Sequence, residues 1–219
     1  MNNISFTELI KNTPYITKQN LGLVLDKRGE NLKYWVRKLI RQGALIQLKK
    51  GFFVPKYFFD LNSMVGEEES EKYKIYLANQ IRSPSYVSLE YVLAKYGFLA
   101  ESVYSVTSIT LKSTRSYSTS LGQFQYRHLK ESLFFGYKIG TYRGKDMQEA
   151  TLAKALFDYL YLRRFASQKV TREYLVESGR LNWGALSNVD VSEFKKIVRL
   201  SQSNKLKLIL EFLEKSKLI

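Results

Sequence analysis

The chain has 219 residues, 45% apolar and 14% aromatic, with 35 Lys or Arg against 20 Asp or Glu and a formal net charge of +15. That composition excludes disorder over most of the length, allows one large or two small cores, and favours a polyanionic partner. With no cysteine and a single histidine, disulfides and thiolate metal sites are excluded, and a His-based metal cage or Ser-His-Asp arrangement has little to work with.

The opening residues MNNISFTELIKN lack a basic-then-apolar leader, and no apolar run has the length of a membrane span, so a soluble, cytoplasmic protein is expected. A short helix is expected over Ser5–Lys11 with Phe6, Leu9 and Ile10 inward, broken by Asn12, Thr13 and Pro14. Thr17 is a good N-cap for a helix from Lys18 to Leu25, and Asp26 to Gly29 makes a turn. The next helix spans Glu30 to Gln42. At helical spacing Leu32, Trp35, Val36, Leu39 and Ile40 share one face, while Lys33, Tyr34, Arg37, Lys38 and Arg41 share the other. Gly43 stops it. Leu45–Leu48 and Phe52–Val54 read as a hairpin with Lys49, Lys50 and Gly51 at its tip, ended by Pro55. Helix, tight turn, basic helix and glycine-tipped hairpin, in that order, are the plan of a winged helix-turn-helix.

Charge divides the chain. Residues 1–58 carry eleven Lys or Arg against three acids, residues 59–71 carry five acids and no base, and the remainder is basic again. The acidic strip Asp60–Glu71 is taken as a boundary with its linker at about 62–67, although Tyr73, Tyr76, Leu77 and Ile81 already share a helical face. In the second module a helix over SLEYVLAKYGF is capped by Ser88, turns Leu89, Val92, Leu93 and Tyr96 inward and stops at Gly97. Strands follow at Val103–Leu111, at Tyr117–Thr119 and Gln123–His128 around Gly122, and at Leu133–Tyr137. An apolar helix over Thr151–Arg164 has Leu152, Ala155, Leu156, Tyr159 and Leu160 on its core face, and three more helices lie near 171–178, 192–201 and 204–216. The fold class expected is α+β: an N-terminal winged helix-turn-helix (1–61), then a larger C-terminal domain (68–219) with a small antiparallel sheet and helices segregated to one side.

Long cations on an exposed helix suit the major groove, where they reach phosphates and guanine edges. Arg37, mid-face, is the best candidate for a base contact, with Lys33 one turn earlier and Lys38 and Arg41 alongside. Tyr34 suits a sugar or a thymine methyl. Lys27, Arg28 and Asn31 lie where phosphate contacts form, and Lys49 and Lys50 sit at the wing tip. Candidates for catalysis are poor. His128 reads as a partly exposed strand residue, Glu67, Glu68, Glu69 and Glu71 as a solvated linker, and Lys154–Asp158 as a surface pair. Gly140, Gly144 and Lys145 lack the spacing of a phosphate loop and read as a turn. No metal, cofactor or enzymatic activity is expected. Basic groups recur through the body, among them Arg115, Arg127 and Lys130, then Arg163, Arg164, Lys169 and Arg172.

The stretches YVSLEYVLAKYGFL (Tyr86–Leu99), VYSVTSIT (Val103–Thr110), GQFQYRHL (Gly122–Leu129), LFFGY (Leu133–Tyr137) and ATLAKALFDYLYL (Ala150–Leu162) are distinctive. With the basic head, the chain resembles over nearly its whole length the AbiEi-like antitoxins of bacterial AbiE (type IV) toxin–antitoxin, or abortive infection, systems. Where such proteins often carry Thr-Pro-Glu-Lys-Ala-Leu, this chain has Thr151-Leu152-Ala153-Lys154-Ala155-Leu156, so the capping role of the acid does not carry over. The resemblance implies an antitoxin and autorepressor. Its head would bind inverted repeats in its own promoter as double-stranded DNA, as two copies, using Lys33, Arg37 and Arg41 on the recognition helix and Lys49 and Lys50 on the wing. Its body would counteract a toxin of nucleotidyltransferase fold, with direct contact left open. A stand-alone winged-helix regulator with a ligand- or protein-sensing C-terminal domain is the alternative.

Overall fold

The structure is a computed structural model that describes Glu8 and residues 10–219. Most of the helix expected over Ser5–Lys11, including Phe6 and Leu9, lies outside the described residues. Strand β1 (Ile16–Thr17) leads directly into α1 (Lys18–Leu25), whose N-cap Thr17 accepts a hydrogen bond from the Asn20 amide at 3.2 Å. Asp26, at φ 51°, ends α1 in the left-handed region, and Gly29, at φ 53°, opens α2 (Gly29–Arg41). Gly22 allows the two helices to close: a Cβ there would lie 3.1 Å from both the Leu32 side chain and the Lys27 carbonyl. After α2 come β2 (Leu45–Lys49) and β3 (Phe52–Pro55), and β3 pairs antiparallel with both β1 and β2.

Side chains alternate across a strand, and this hairpin uses both faces. Leu45 and Phe53 join Ile10, Ile16, Leu21, Leu32, Val36 and Leu39 in a small core beneath α1 and α2. Leu48, Phe52 and Val54 point the other way, into the main core of the protein. Tyr15 stacks on Phe52 at 4.7 Å, and the Tyr73 hydroxyl donates to the Pro14 carbonyl at 2.6 Å.

The segment 62–67 is not an extended linker. It is helical through α3 (Lys56–Val65), breaks at Gly66, and resumes as α4 (Glu67–Ile81). Glu67, Glu68 and Glu69 occupy the first turn of α4, where negative charge complements the unpaired amides and the helix dipole. Asn62 is buried. Its amide donates to the Glu69 carbonyl at 3.4 Å, and its side-chain oxygen accepts from the Tyr142 hydroxyl at 2.6 Å.

The remainder contains β4 (Ser85–Val87), α5 (Glu90–Lys95), β5 (Val106–Thr110), β6 (Arg115–Thr119), β7 (Gly122–His128), β8 (Tyr137–Tyr142) and β9 (Lys145–Ala150). Then come α6 (Leu152–Leu162), α7 (Gln168–Glu173), one π turn (Tyr174–Ser178), α8 (Asn188–Ser201) and α9 (Asn204–Lys215). The six strands run in the order β6-β7-β5-β4-β9-β8. The sheet is larger than expected and mixed: β5 with β7 and β4 with β9 are parallel, the other pairs antiparallel.

Nor are the helices confined to one side. Tyr126 on β7 reaches the Ala78 carbonyl of α4, whereas Tyr86 on β4 reaches Asp158 of α6. Their partners on β5, Ser108 and Ile109, are adjacent and therefore face opposite ways. Helices on both faces explain why every residue of β5 is buried. The strand expected at Leu133–Tyr137 is instead a 3₁₀ turn (Glu131–Leu133) followed by a short connection, and the hairpin β8–β9 replaces the isolated turn expected at Gly140–Lys145.

Candidate nucleic-acid interface

Helix α2 follows the turn and turns Leu32, Val36 and Leu39 into the small core. Its opposite face is open. Asn31, Lys33, Tyr34, Arg37 and Arg41 are exposed, Tyr34 by 55%. Trp35, expected in the core, is only half-buried, and the Lys38 ammonium lies 4.6 Å from its ring centre, so Lys38 is half-buried too. Arg28 is exposed at the N-cap position and Lys27 is half-buried in the turn, its amide bonded to the Gly22 carbonyl at 3.0 Å. Lys33 pairs with Glu30 at 2.5 Å. That hydrogen bond and the accompanying charge hold the Glu30 carboxyl below its ordinary pKa. Among the described residues, Arg28, Arg37, Arg41 and Lys50 enter no ion pair within 4 Å, so their charges stand unneutralised at the surface.

The tip of the β2–β3 hairpin is divided. Lys50 is exposed beside Gly51, whose φ of 78° makes the turn. Lys49 does not share that freedom. Its ammonium donates to the Ile81 carbonyl at the end of α4 and lies 5.5 Å from the Phe52 ring centre, and burial pushes its pKa down. The expected pair of wing lysines is thus one free cation and one structural tether, because the second face of the hairpin packs on the body.

Two further expectations in the body change. Lys154 and Asp158 are fully buried, not at the surface. Asp158 accepts from Tyr86 at 3.0 Å, from Ser88 at 2.8 Å and from the Lys154 ammonium. Burial drives the Lys154 pKa down and that of Asp158 up. Ser88 is consequently spent on Asp158 and does not cap α5, whose N-cap position is Leu89. Tyr96 is 46% exposed rather than inward. His128 is exposed on β7, and among the described residues no three His, Asp or Glu side chains converge as a metal site requires. No helix among them is long and apolar enough to cross a membrane.

No family model matches this chain, and no curated protein matches it.

Proposed function

We propose that the chain is a DNA-binding transcriptional regulator that reads duplex DNA through a winged helix-turn-helix, with α2 as the recognition helix. The observation that carries this is the face of α2: Asn31, Lys33, Tyr34, Arg37 and Arg41 stand exposed on a helix whose other side is packed. A major groove admits one such helix, and an exposed Lys33–Glu30 pair is weak enough for phosphate to displace it. Arg28 and Lys27 flank the helix start, where backbone contacts form, and Lys50 alone extends the footprint at the wing.

The finer reading is an AbiEi-like antitoxin that represses its own operon on inverted repeats and counteracts a nucleotidyltransferase-fold toxin through its body, without catalysis of its own. It rests on the resemblance of the stretches quoted above. A regulator with an apolar effector pocket is less well supported: the apolar groove between α7 and α9, lined by Leu175, Leu208 and Phe212, holds about 150 Å³, below the roughly 300–1,000 Å³ usual for ligand pockets.

The test is a mobility shift on the DNA upstream of the coding sequence. Arg37→Ala is expected to weaken binding by about 1–3 kcal/mol and to relax preference at one base. Lys50→Ala should weaken all sequences alike, and Lys49→Ala should leave DNA affinity nearly unchanged while lowering thermal stability. Equal shifts for wild type and Arg37→Ala would falsify the assignment of α2. Rescue of growth on co-expression with a neighbouring nucleotidyltransferase gene tests the antitoxin reading separately.

A further inference from the structure

We infer that the recess between α5, the C-terminal end of α6 and the π turn binds a phosphorylated small molecule of mononucleotide size. Its volume is about 540 Å³, within the range that holds a ligand of that size. Arg163, Arg180, Glu90 and Glu101 all line it. Among the described residues none of the four makes an ion pair within 4 Å, although elsewhere the chain closes such pairs readily, as in Lys95–Glu149 at 2.9 Å and Lys195–Glu214 at 2.9 Å. Two guanidiniums and two carboxylates therefore line one space with no ion pair closed within 4 Å. That arrangement complements a ligand with an anionic end and a hydrogen-bond-donating end.

One of the two cations is positioned in advance. The Arg163 guanidinium lies 3.9 Å from the centre of the Tyr174 ring and donates to the Tyr159 hydroxyl at 2.9 Å, and the two tyrosine hydroxyls are hydrogen-bonded to each other. This fixes a long side chain that would otherwise lose rotamer entropy on binding. The backbone is irregular around the same space. Leu89, immediately before Glu90, has φ 63°, which is unfavourable for a bulky residue; Arg180 has φ 47°; Tyr174 and Ser178 bound the π turn. Such departures cost energy and persist where the surrounding structure enforces them, frequently at binding sites. The far wall is anchored by the Leu99–Leu181 bridge and by Asn182, which donates to the Gly97 carbonyl at 3.1 Å.

Planar guanidiniums match phosphate oxygens, and carboxylates accept from sugar hydroxyls or base amino groups. An amino-acid zwitterion would satisfy the charges but leave most of the volume empty. A nucleic-acid backbone would bring further phosphates against Glu90 and Glu101. A nucleoside monophosphate meets both requirements.

Calorimetric titration of the full chain with the four ribonucleoside 5′-monophosphates, inorganic phosphate and adenosine tests this. At least one nucleotide is expected to bind saturably with Kd below about 1 mM, and both phosphate and adenosine at least roughly tenfold more weakly. Arg180→Asn, which suits the left-handed backbone, and Glu101→Gln should each weaken that nucleotide by roughly tenfold or more with no change in melting temperature. Absence of saturable heat with every nucleotide up to about 5 mM overturns the proposal. So does nucleotide binding that both variants leave intact, or phosphate binding as tight as the nucleotide's. DNA binding by the head is a separate property, and a mobility shift on the same samples reports it independently.

Discussion

Asp158 and Lys154 carry the largest single-residue stake in the body. Both are fully buried, and Asp158 also collects Tyr86 and Ser88. Taking two charges out of water costs nearly what their attraction returns, so the intact pair adds little net stability, whereas breaking it leaves one charge stranded. Asp158→Ala is expected to destabilise the fold by about 3–5 kcal/mol in urea unfolding. The double variant Lys154→Met/Asp158→Asn keeps an acceptor for Tyr86 and Ser88 and should recover to within about 1–2 kcal/mol of wild type. A double variant as unstable as the single would show that the charges themselves are required. In sequence, a Lys and an Asp four apart read as a surface pair. The contrary signal was the run LAKALFDYLYL around them, apolar on all sides, which marks a helix enclosed by neighbours.

At the scale of elements, α2 was legible because one local rule decides it: a 3.6-residue period sorts Leu32, Val36 and Leu39 from Lys33, Arg37 and Arg41. The crossing of α1 and α2 rests on Gly22, where Val would press on the Lys27 carbonyl as well as on Leu32. Gly22→Val is expected to lower stability by about 1–3 kcal/mol through overpacking. If α2 is the recognition helix proposed above, it should also reduce DNA binding more than the loss of folded protein accounts for, because the angle between the helices changes. Thermal melting read beside mobility shifts checks both, and unchanged values in both would remove Gly22 from the argument. The sheet was harder to read. Which strand pairs with which, and in what direction, depends on partners distant in sequence. The edge hairpin β8–β9, with Lys138, Gly140, Lys145 and Glu149, lacks the β-branched alternation that reveals strands. The acidic run at Glu67–Glu71 read as a linker because its chemistry as a helix start shows only once α4 is seen to pack.

For the molecule as a whole, buried phenols set the response to base. Desolvation raises Tyr76 and Tyr142 to a pKa of about 12 and drives Tyr73, Tyr86, Tyr126 and Tyr159 higher still. A folded-state pKa above the unfolded value means the neutral phenols contribute stability that is fully present below about pH 10 and lost as pH rises through 12. The urea midpoint should therefore fall steeply above about pH 10, with tyrosinate absorbance appearing cooperatively as the fold opens. Gradual titration of all sixteen tyrosines near pH 10 would contradict the packing described here. The recess around Arg163 was invisible in sequence for a related reason: its walls come from four separated segments, and nothing local marks them as neighbours.

The hairpin β2–β3 has one more consequence, for anyone dissecting the protein. Ending the chain after Val65 would strip the body's contacts from Leu48, Phe52 and Val54, forfeiting part of the about 1.5–3 kcal/mol that burial of each contributes, and would leave a matching scar on the other half. A 1–65 fragment is expected to self-associate in light scattering and to melt without cooperativity, whereas a monodisperse fragment with a sharp transition would mean that the N-terminal segment folds on its own.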